Sequence, residues 1–188
     1  MIRQCTPAEF DDIWAVIDDA AAAYRGIIAA DRWNDPYMSR DELRREIDEG
    51  VIFLGFFDGG QLLGVMGLQH VAEVALIRHA YTRTASQRRG IGTALLAYLQ
   101  RQTDRPLLVG TWKAATWAVR FYETRGFRLV DARQKDALLR RYWTVPARQI
   151  EESVVLANDR WTAAPGIASD GVYHHLSNAK ATSNDNKL

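Results

Sequence analysis

Asp58-Gly59-Gly60 divides a nearly continuous apolar run into two halves, Val51 to Phe57 and Leu62 to Gln69, and so commits the middle of the chain to a β-hairpin. Val74 to Thr82 follows as a third strand, less hydrophobic towards its end. Helical signals flank this block. Thr6-Pro7-Ala8-Glu9 is a helix start, with a capping threonine, a proline in the first turn and a glutamate three residues after the cap. Phe10, Ile13, Trp14, Ile17 and Tyr24 then form an apolar stripe that ends near Gly26. Ser39-Arg40-Asp41-Glu42 opens a second helix with Leu43 and Ile47 on its apolar side, and Gly50 stops it. Between them, Ile27 to Met38 reads as a loop.

After the third strand, Gln87 to Thr93 leads into a helix carrying Leu95, Leu96 and Leu99. Leu107 to Gly110 is a short buried strand, Ala114 to Arg125 a helix, and Gly126 occupies the position where a helix end takes a left-handed residue. Phe127 to Val130 is a strand, Lys135 to Trp143 a helix, and Gln149 to Ala157 a final strand. From Thr162 the composition shifts to Ala, Ser, Asn, Asp and Gly, with Val172, Tyr173 and Leu176 the main large apolar residues. The organisation expected is one domain over residues 1–161 and a polar tail over 162–188. The fold class is α+β, or mixed α/β, with strands concentrated in the middle and helices interleaved.

Hydrophobic residues make up 47% and charged residues 25% of the 188, enough for a real core, so global disorder is excluded. No apolar run approaches the ~18 residues of a membrane helix. The opening Met1-Ile2-Arg3-Gln4-Cys5, with Asp11 and Asp12 close behind, predicts no secretory leader and hence a cytoplasmic protein without membrane association. One cysteine, Cys5, cannot form an internal disulfide or a cysteine zinc cage, and no metal is expected. His174-His175 could bind a metal, but as a lone pair in a polar tail it reads as solvated. With 24 basic against 23 acidic residues the chain is near neutral, which argues against a nucleic-acid partner. The charge is uneven, however. Arg78, Arg83, Arg88, Arg89, Arg101 and Arg105 face only Asp104 within one segment, a local excess of six minus one, +5. An anion is expected close to it.

Gly90-Ile91-Gly92, placed after a strand and opening a helix, supplies a site for that anion. Glycines let a ligand reach the backbone, the first helical turn has unpaired N–H groups, and the helix end is positive. Gln87, Arg88 and Arg89 add side-chain donors. The P-loop spacing and its Lys-Ser/Thr pair are missing. A dinucleotide fingerprint would need glycine at Leu95. A plain helix entry with two glycines for close packing is the remaining alternative.

Gln87-Arg88-Arg89-Gly90-Ile91-Gly92 resembles the Q/R-x-x-G-x-G/A pyrophosphate motif of the GNAT superfamily of acyl-CoA-dependent N-acyltransferases, matching every fixed position. About thirty residues later, Phe121-Tyr122-Glu123-Thr124-Arg125-Gly126-Phe127 resembles that family's second landmark, an aromatic-Tyr-Glu helix followed by Gly-Phe at a strand. The order of helix pair, hairpin and strand agrees, and the resemblance covers roughly residues 1–160. It implies a central, mostly antiparallel twisted sheet, flanked by helices, in which the third strand splays from the parallel Leu107–Gly110 strand. It also implies acetyl-CoA as acyl donor. Tyr81 and Thr82 would pair with the pantetheine arm, and Gln87, Arg88, Arg89, Gly90, Ile91, Gly92 and Thr93 would hold the pyrophosphate. Tyr122 would be the general acid for the departing thiolate; taken without the motif it reads first as a core aromatic on a Phe-Tyr helix face.

Two family positions depart from the pattern. A common asparagine is replaced by Ala115 or Thr116, and a strand glutamate that serves relatives as base falls by spacing at Leu76. His79 or Glu73 are the nearest titratable substitutes, and an ordered water is a third possibility, so the base is unassigned. His79 also fits a buried histidine with a satisfied hydrogen bond. Cys5 has no partner that would make it a nucleophile. By the resemblance the acceptor enters over the first two helices and their loop. There Asp31, Trp33, Asp35 and Tyr37 suit a cationic amine, unless Trp33 is only a packing anchor. The Lys135–Trp143 helix could wall the acceptor site or form a dimer contact; homodimers are common in the family.

The reaction implied is acetyl transfer to a primary amine by direct attack on the thioester. A small-molecule amine is the first expectation and a protein amine its variant. A non-catalytic acyl-CoA sensor and a binder of another phosphorylated ligand are the competing classes.

Overall fold

The structure is a computed structural model and describes residues 1–28, 30, 33–143 and 145–162. The Thr6 start signal works through Glu9, whose carboxylate accepts from the Thr6 amide at 2.5 Å and the Thr6 hydroxyl at 2.8 Å. Arg3 completes the clamp at 2.6 Å. A 3-10 turn, Pro7–Glu9, leads into helix α1, Phe10–Ala21, and a second 3-10 turn ends at Tyr24, before Gly26 at φ 76°. Helix α2, Arg40–Asp48, begins where Ser39 Oγ accepts from the Glu42 amide at 3.1 Å.

The Arg3 hydrogen bond, followed by those from Thr6, pulls the Glu9 carboxyl down to about 2. Because the folded value lies below the ordinary glutamate value of about 4.3, this clamp stabilises fully above that pH and is lost as pH falls towards about 2. Chemical denaturation should therefore show Glu9→Gln less stable than the wild type at pH 7, with the gap closing as the pH is lowered through that window. A constant gap would contradict the assignment.

The hairpin forms as expected, with β2 Ile52–Asp58 and β3 Gln61–Val71 turning at Gly59 and Gly60, which both have positive φ. Strand β4 is Val74–Thr82, helix α3 Ile91–Leu99, strand β5 Leu107–Trp112 and helix α4 Thr116–Glu123. Gly126 ends α4 at φ 87°, and the Phe127 amide folds back onto the Tyr122 carbonyl at 3.1 Å. Then come β6 Arg128–Leu129, helices α5 Ala132–Tyr142 and α6 Ala147–Glu152, and β7 Ser153–Ala157.

Two elements differ from expectation. Ile2–Gln4 forms an edge strand, β1, paired with β2. The expected strand over Gln149–Ala157 is split, because residues up to Glu152 belong to α6. Pro146 starts that turn, its carbonyl accepting from the Gln149 and Ile150 amides, and the polar run around Ile150 lacks the alternation a strand would need.

The seven strands form one mixed sheet in the order β1-β2-β3-β4-β5-β7-β6, with β4 and β5 the parallel pair. Alternating residues divide its two faces. On one face Leu54, Met66, Leu68, Ile77 and Val109 pack with Leu95, Leu96 and Leu99 of α3 and Tyr122 of α4. On the other, Phe53 and Val65 meet α1 and α2 through Ile13, Val16, Ile17 and Leu43, while Leu76, Leu108 and Val155 meet α5 through Leu138, Leu139 and Tyr142. The apolar side of α5 is therefore spent on its own sheet. Among the described residues no helix is long and apolar enough to cross a membrane. The tail beyond Thr162, with His174 and His175, lies outside the described residues.

Candidate active site

β4 and β5 pair only at Ala75–Leu107, Leu76–Leu108 and Ile77–Val109. Beyond that point β4 stays with β3 and β5 with β7, through Gly110–Val155, Thr111–Val154 and Trp112–Ser153. The strands part, and a cavity of about 890 Å³ fills the V. Its walls are Ile77 and His79 to Thr82 of β4, Val109 to Thr111 of β5, the start of α3, and Trp117, Ala118, Phe121 and Tyr122 of α4.

The glycine turn forms one end of this cavity. Gly90 caps α3 at φ 79°, and Arg88 is also left-handed at φ 60°. The first bond into the helix runs from the Ala94 amide to the Gly90 carbonyl at 3.0 Å, so the amides of Ile91, Gly92 and Thr93 have no intrahelical partner. Gln87, Arg88, Gly90, Ile91, Gly92 and Thr93 all line the cavity, as do Tyr81 and Thr82. Arg89 is not among the lining residues; its guanidinium lies 3.5 Å from Asp58 at the hairpin. Arg88 is also the only member of the basic run that lines the cavity. Arg78 binds Gln69 and Glu46, while Arg83 and Arg105 bind backbone carbonyls. Arg101 lies over Tyr98.

A cation that composition did not single out joins Arg88. Arg125 lines the cavity, donates to Thr93 Oγ1 at 2.6 Å and the Phe121 carbonyl at 2.8 Å, and lies 4.0 Å from the Phe121 ring centre. Three free amides, a helix N-terminus and two guanidinium groups are suited to a pyrophosphate.

The other end is aromatic. Tyr24, from the turn after α1, meets Trp117 of α4 at 5.5 Å, and Tyr81 sits edge-on to both Tyr24 and Tyr37 at 6.4 and 6.5 Å. Burial pushes the Tyr24 phenol up to about 12 and raises that of Tyr81, so both stay neutral. Tyr122 is 4% exposed, packs edge-on to Phe121 and Phe127, and faces the V. Burial, with a smaller contribution from Tyr24, drives its phenol well above the ordinary value. Its proton is secure until a strong base appears beside it.

The two candidate bases part company. His79 lines the cavity. Glu73 does not: it stands in the turn before β4, at the other end of the strand, where Tyr142 and Arg141 bind its carboxylate. Leu76, the position reached by family spacing, is fully buried against α5. Nor do the described members of the expected acceptor set line the cavity. Asp31 lies outside the described residues. Trp33 stacks under Arg25 at 4.9 Å, Asp35 pairs with the same arginine at 3.3 Å, and neither lines the cavity. Among the described loop residues Trp33 and Asp35 gather on Arg25, and Tyr37 joins the aromatic cluster. No residue of α5 lines the cavity. Cys5 is half-buried, and burial followed by the Glu9 charge pushes its thiol up to about 12, leaving it protonated.

The sequence matches the acetyltransferase (GNAT) domain family over residues 18–141, more than half of the chain. The chain belongs to the GNAT acetyltransferases. Among relatives, the peptidyl-lysine N-acetyltransferase YiaC of Escherichia coli is 26% identical over 137 residues, 72% of this chain and 88% of that protein. Two solved structures share the GNAT fold at a TM-score of 0.63. One is the PaiA N-acetyltransferase of Thermoplasma acidophilum in complex with coenzyme A, 18% identical, covering 84% of this chain and 97% of that one. The other is the ribosomal-protein-S18-alanine N-acetyltransferase of Escherichia coli, 16% identical, covering 92% and 98%. As a GNAT acetyltransferase the chain is an enzyme of acyl transfer.

Proposed function

We propose that this GNAT enzyme transfers the acetyl group of acetyl-CoA to a primary amine. The observation that carries this reading is the V between β4 and β5, with unpaired α3 amides at one end and a neutral aromatic wall at the other. The residues present fit the donor. The Ile91, Gly92 and Thr93 amides, with Arg88 and Arg125, hold its phosphates, and the free β4 edge at Tyr81 and Thr82 holds the pantetheine arm. The attacking amine forms the C–N bond as the C–S bond breaks. Tyr122 gives its proton to the leaving sulfur, and the amine's proton passes to His79 or to water. No residue forms an acyl-enzyme; most of the acceleration comes from positioning.

A small-molecule amine is the first acceptor to test. The similarity to YiaC favours a second, the lysine side chain of a protein. Thiol release from acetyl-CoA should rise with one acceptor among spermidine, a lysine peptide and an alanine-terminated peptide. Calorimetry should show acetyl-CoA and CoA binding at micromolar levels and ATP negligibly; no CoA binding would sink the reading. Arg125→Gln removes one charge-assisted contact, worth about 1.5 kcal/mol, and should weaken acetyl-CoA binding about tenfold. We also propose the cytoplasm, where acetyl-CoA is made and used, as the compartment, and residues 1–161 as the catalytic domain.

A further inference from the structure

Arg78 and His79 are consecutive strand residues, yet both side chains end on the carboxylate of Glu46 in α2. Consecutive residues of a regular strand point to opposite faces, so one of the two should point towards α3. The pairing explains the exception. Gly67 faces Arg78 and Val65 faces Tyr81, which leaves His79 and Ala80 together opposite Met66. This is a β-bulge, and His79 takes φ 47° within it. A left-handed conformation costs a residue with a side chain about 1–2 kcal/mol, and bulges of this kind collect beside active sites. Here it returns His79 to the α2 face, between Phe53 at 5.8 Å and Tyr81 at 6.4 Å, while leaving it on the cavity wall.

The Glu46 carboxylate is confined between its two donors. Nη2 of Arg78 donates to Oε1 at 2.8 Å, Nε2 of His79 donates to Oε2, and the carboxylate's side-chain exposure is 14%. Burial tends to raise its pKa, but His79 and Arg78 outweigh burial and hold it below the usual carboxylate range. It is therefore an anion, able only to accept, and it draws the ring proton to Nε2. Nδ1 is left with the lone pair, and among the described residues no hydrogen bond reaches it. Arg78 is further tied to Gln69 Oε1 at 2.9 Å, so the network is braced from β3 as well. Glu46 itself does not line the cavity.

We propose that Glu46 is the positioning residue of a Glu46–His79 dyad that accepts the acceptor's proton. This rests on the acetyl-transfer reading above. Glu46 holds the Nε2–H tautomer and the ring plane, and Nδ1 of His79 takes the proton that the amine nitrogen loses as its bond to the carbonyl carbon forms. The Tyr122 proton goes to the sulfur. His79 then returns its extra proton to water and Tyr122 regains one, which restores the resting state.

The full-length protein with 15N-labelled histidine rings provides the first test, with His79 identified from the spectrum of His79→Ala. At pH 8 the wild-type His79 signals should report a proton on Nε2 and a bare Nδ1. A proton on Nδ1 overturns the proposal, whether or not Glu46→Ala folds. The second test is a cycle on kcat, using whichever of spermidine, the lysine peptide and the alanine peptide reacts. His79→Ala should fall about a hundredfold and Glu46→Ala about tenfold, with the acetyl-CoA KM of each within about twofold. The double variant should be no slower than His79→Ala. If the two losses multiply, Glu46 acts without His79 and the proposal fails. If no amine reacts while acetyl-CoA binds, the acetyl-transfer reading fails on these acceptors and the tautomer still decides the dyad.

Discussion

Tyr122→Phe is expected to lower kcat about a hundredfold while leaving acetyl-CoA affinity within about twofold of the wild type. The variant removes one oxygen and keeps the ring. The ring holds the packing: it sits edge-on between Phe121 and Phe127 and belongs to the core that joins α4 to the sheet. Stability should therefore change little. In the proposed reaction the oxygen carries the chemistry: Tyr122 lines the V, and burial keeps its phenol protonated. A thiolate leaving without a donor must depart as a full anion in a cavity walled by neutral aromatics, and that penalty appears only in the transition state. The raised phenol also sets a pH expectation. The alkaline limb of the wild-type rate profile should show no loss from Tyr122 ionisation at or below its ordinary value of about 10. Steady-state kinetics on one reactive amine would check both points, and an unchanged kcat in Tyr122→Phe would remove the residue from the reaction.

Gly90→Val should weaken acetyl-CoA binding about thirtyfold or more, a loss of about 2 kcal/mol. Two effects combine, and they can be separated. Gly90 caps α3 at φ 79°, a conformation that strains a β-branched residue by about 1–2 kcal/mol. A Cβ at this position meets no protein atom within 4 Å, and Gly90 lines the cavity, so nothing in the fold keeps a side chain out of the space where the phosphates are proposed to meet the α3 amides. Gly90→Asn tolerates the left-handed region better but still carries a side chain into that space. If occlusion dominates, Asn and Val lose similar binding while Asn keeps more stability. If strain dominates, Asn should bind nearly as well as the wild type. Calorimetry with acetyl-CoA beside thermal unfolding of each variant distinguishes these outcomes.

The glycine turn and the helix that carries Tyr122 were legible as local structure before any coordinates because each is a short-range signal. A glycine at φ 79° followed by a helix start, or a tyrosine four residues before a left-handed glycine, is a pattern within one turn of chain. The Thr6 and Ser39 starts and the Gly59–Gly60 hairpin are of the same kind, and all formed where expected. The basic run between Arg78 and Arg105 was legible as charge but not as geometry. Most of its guanidinium groups are spent on Glu46, Asp58, Tyr98 and backbone carbonyls, and the second cavity cation, Arg125, comes from outside it. The described acceptor candidates of the loop have long-range partners too: Arg25, ten residues from Asp35, takes both Asp35 and Trp33.

Local sequence thus determined the helices, the hairpin and the glycine turn, since capping, turn conformation and helix-end amides depend on neighbours a few residues apart. Tertiary structure alone decided which way His79 points and what holds it. Its carboxylate partner is 33 residues away, on another layer, and the contact exists because a bulge opposite Met66 breaks the alternation of the strand. A two-residue period read along β4 misplaces His79, because a bulge depends on the register between two strands, and that register is set only when the sheet closes.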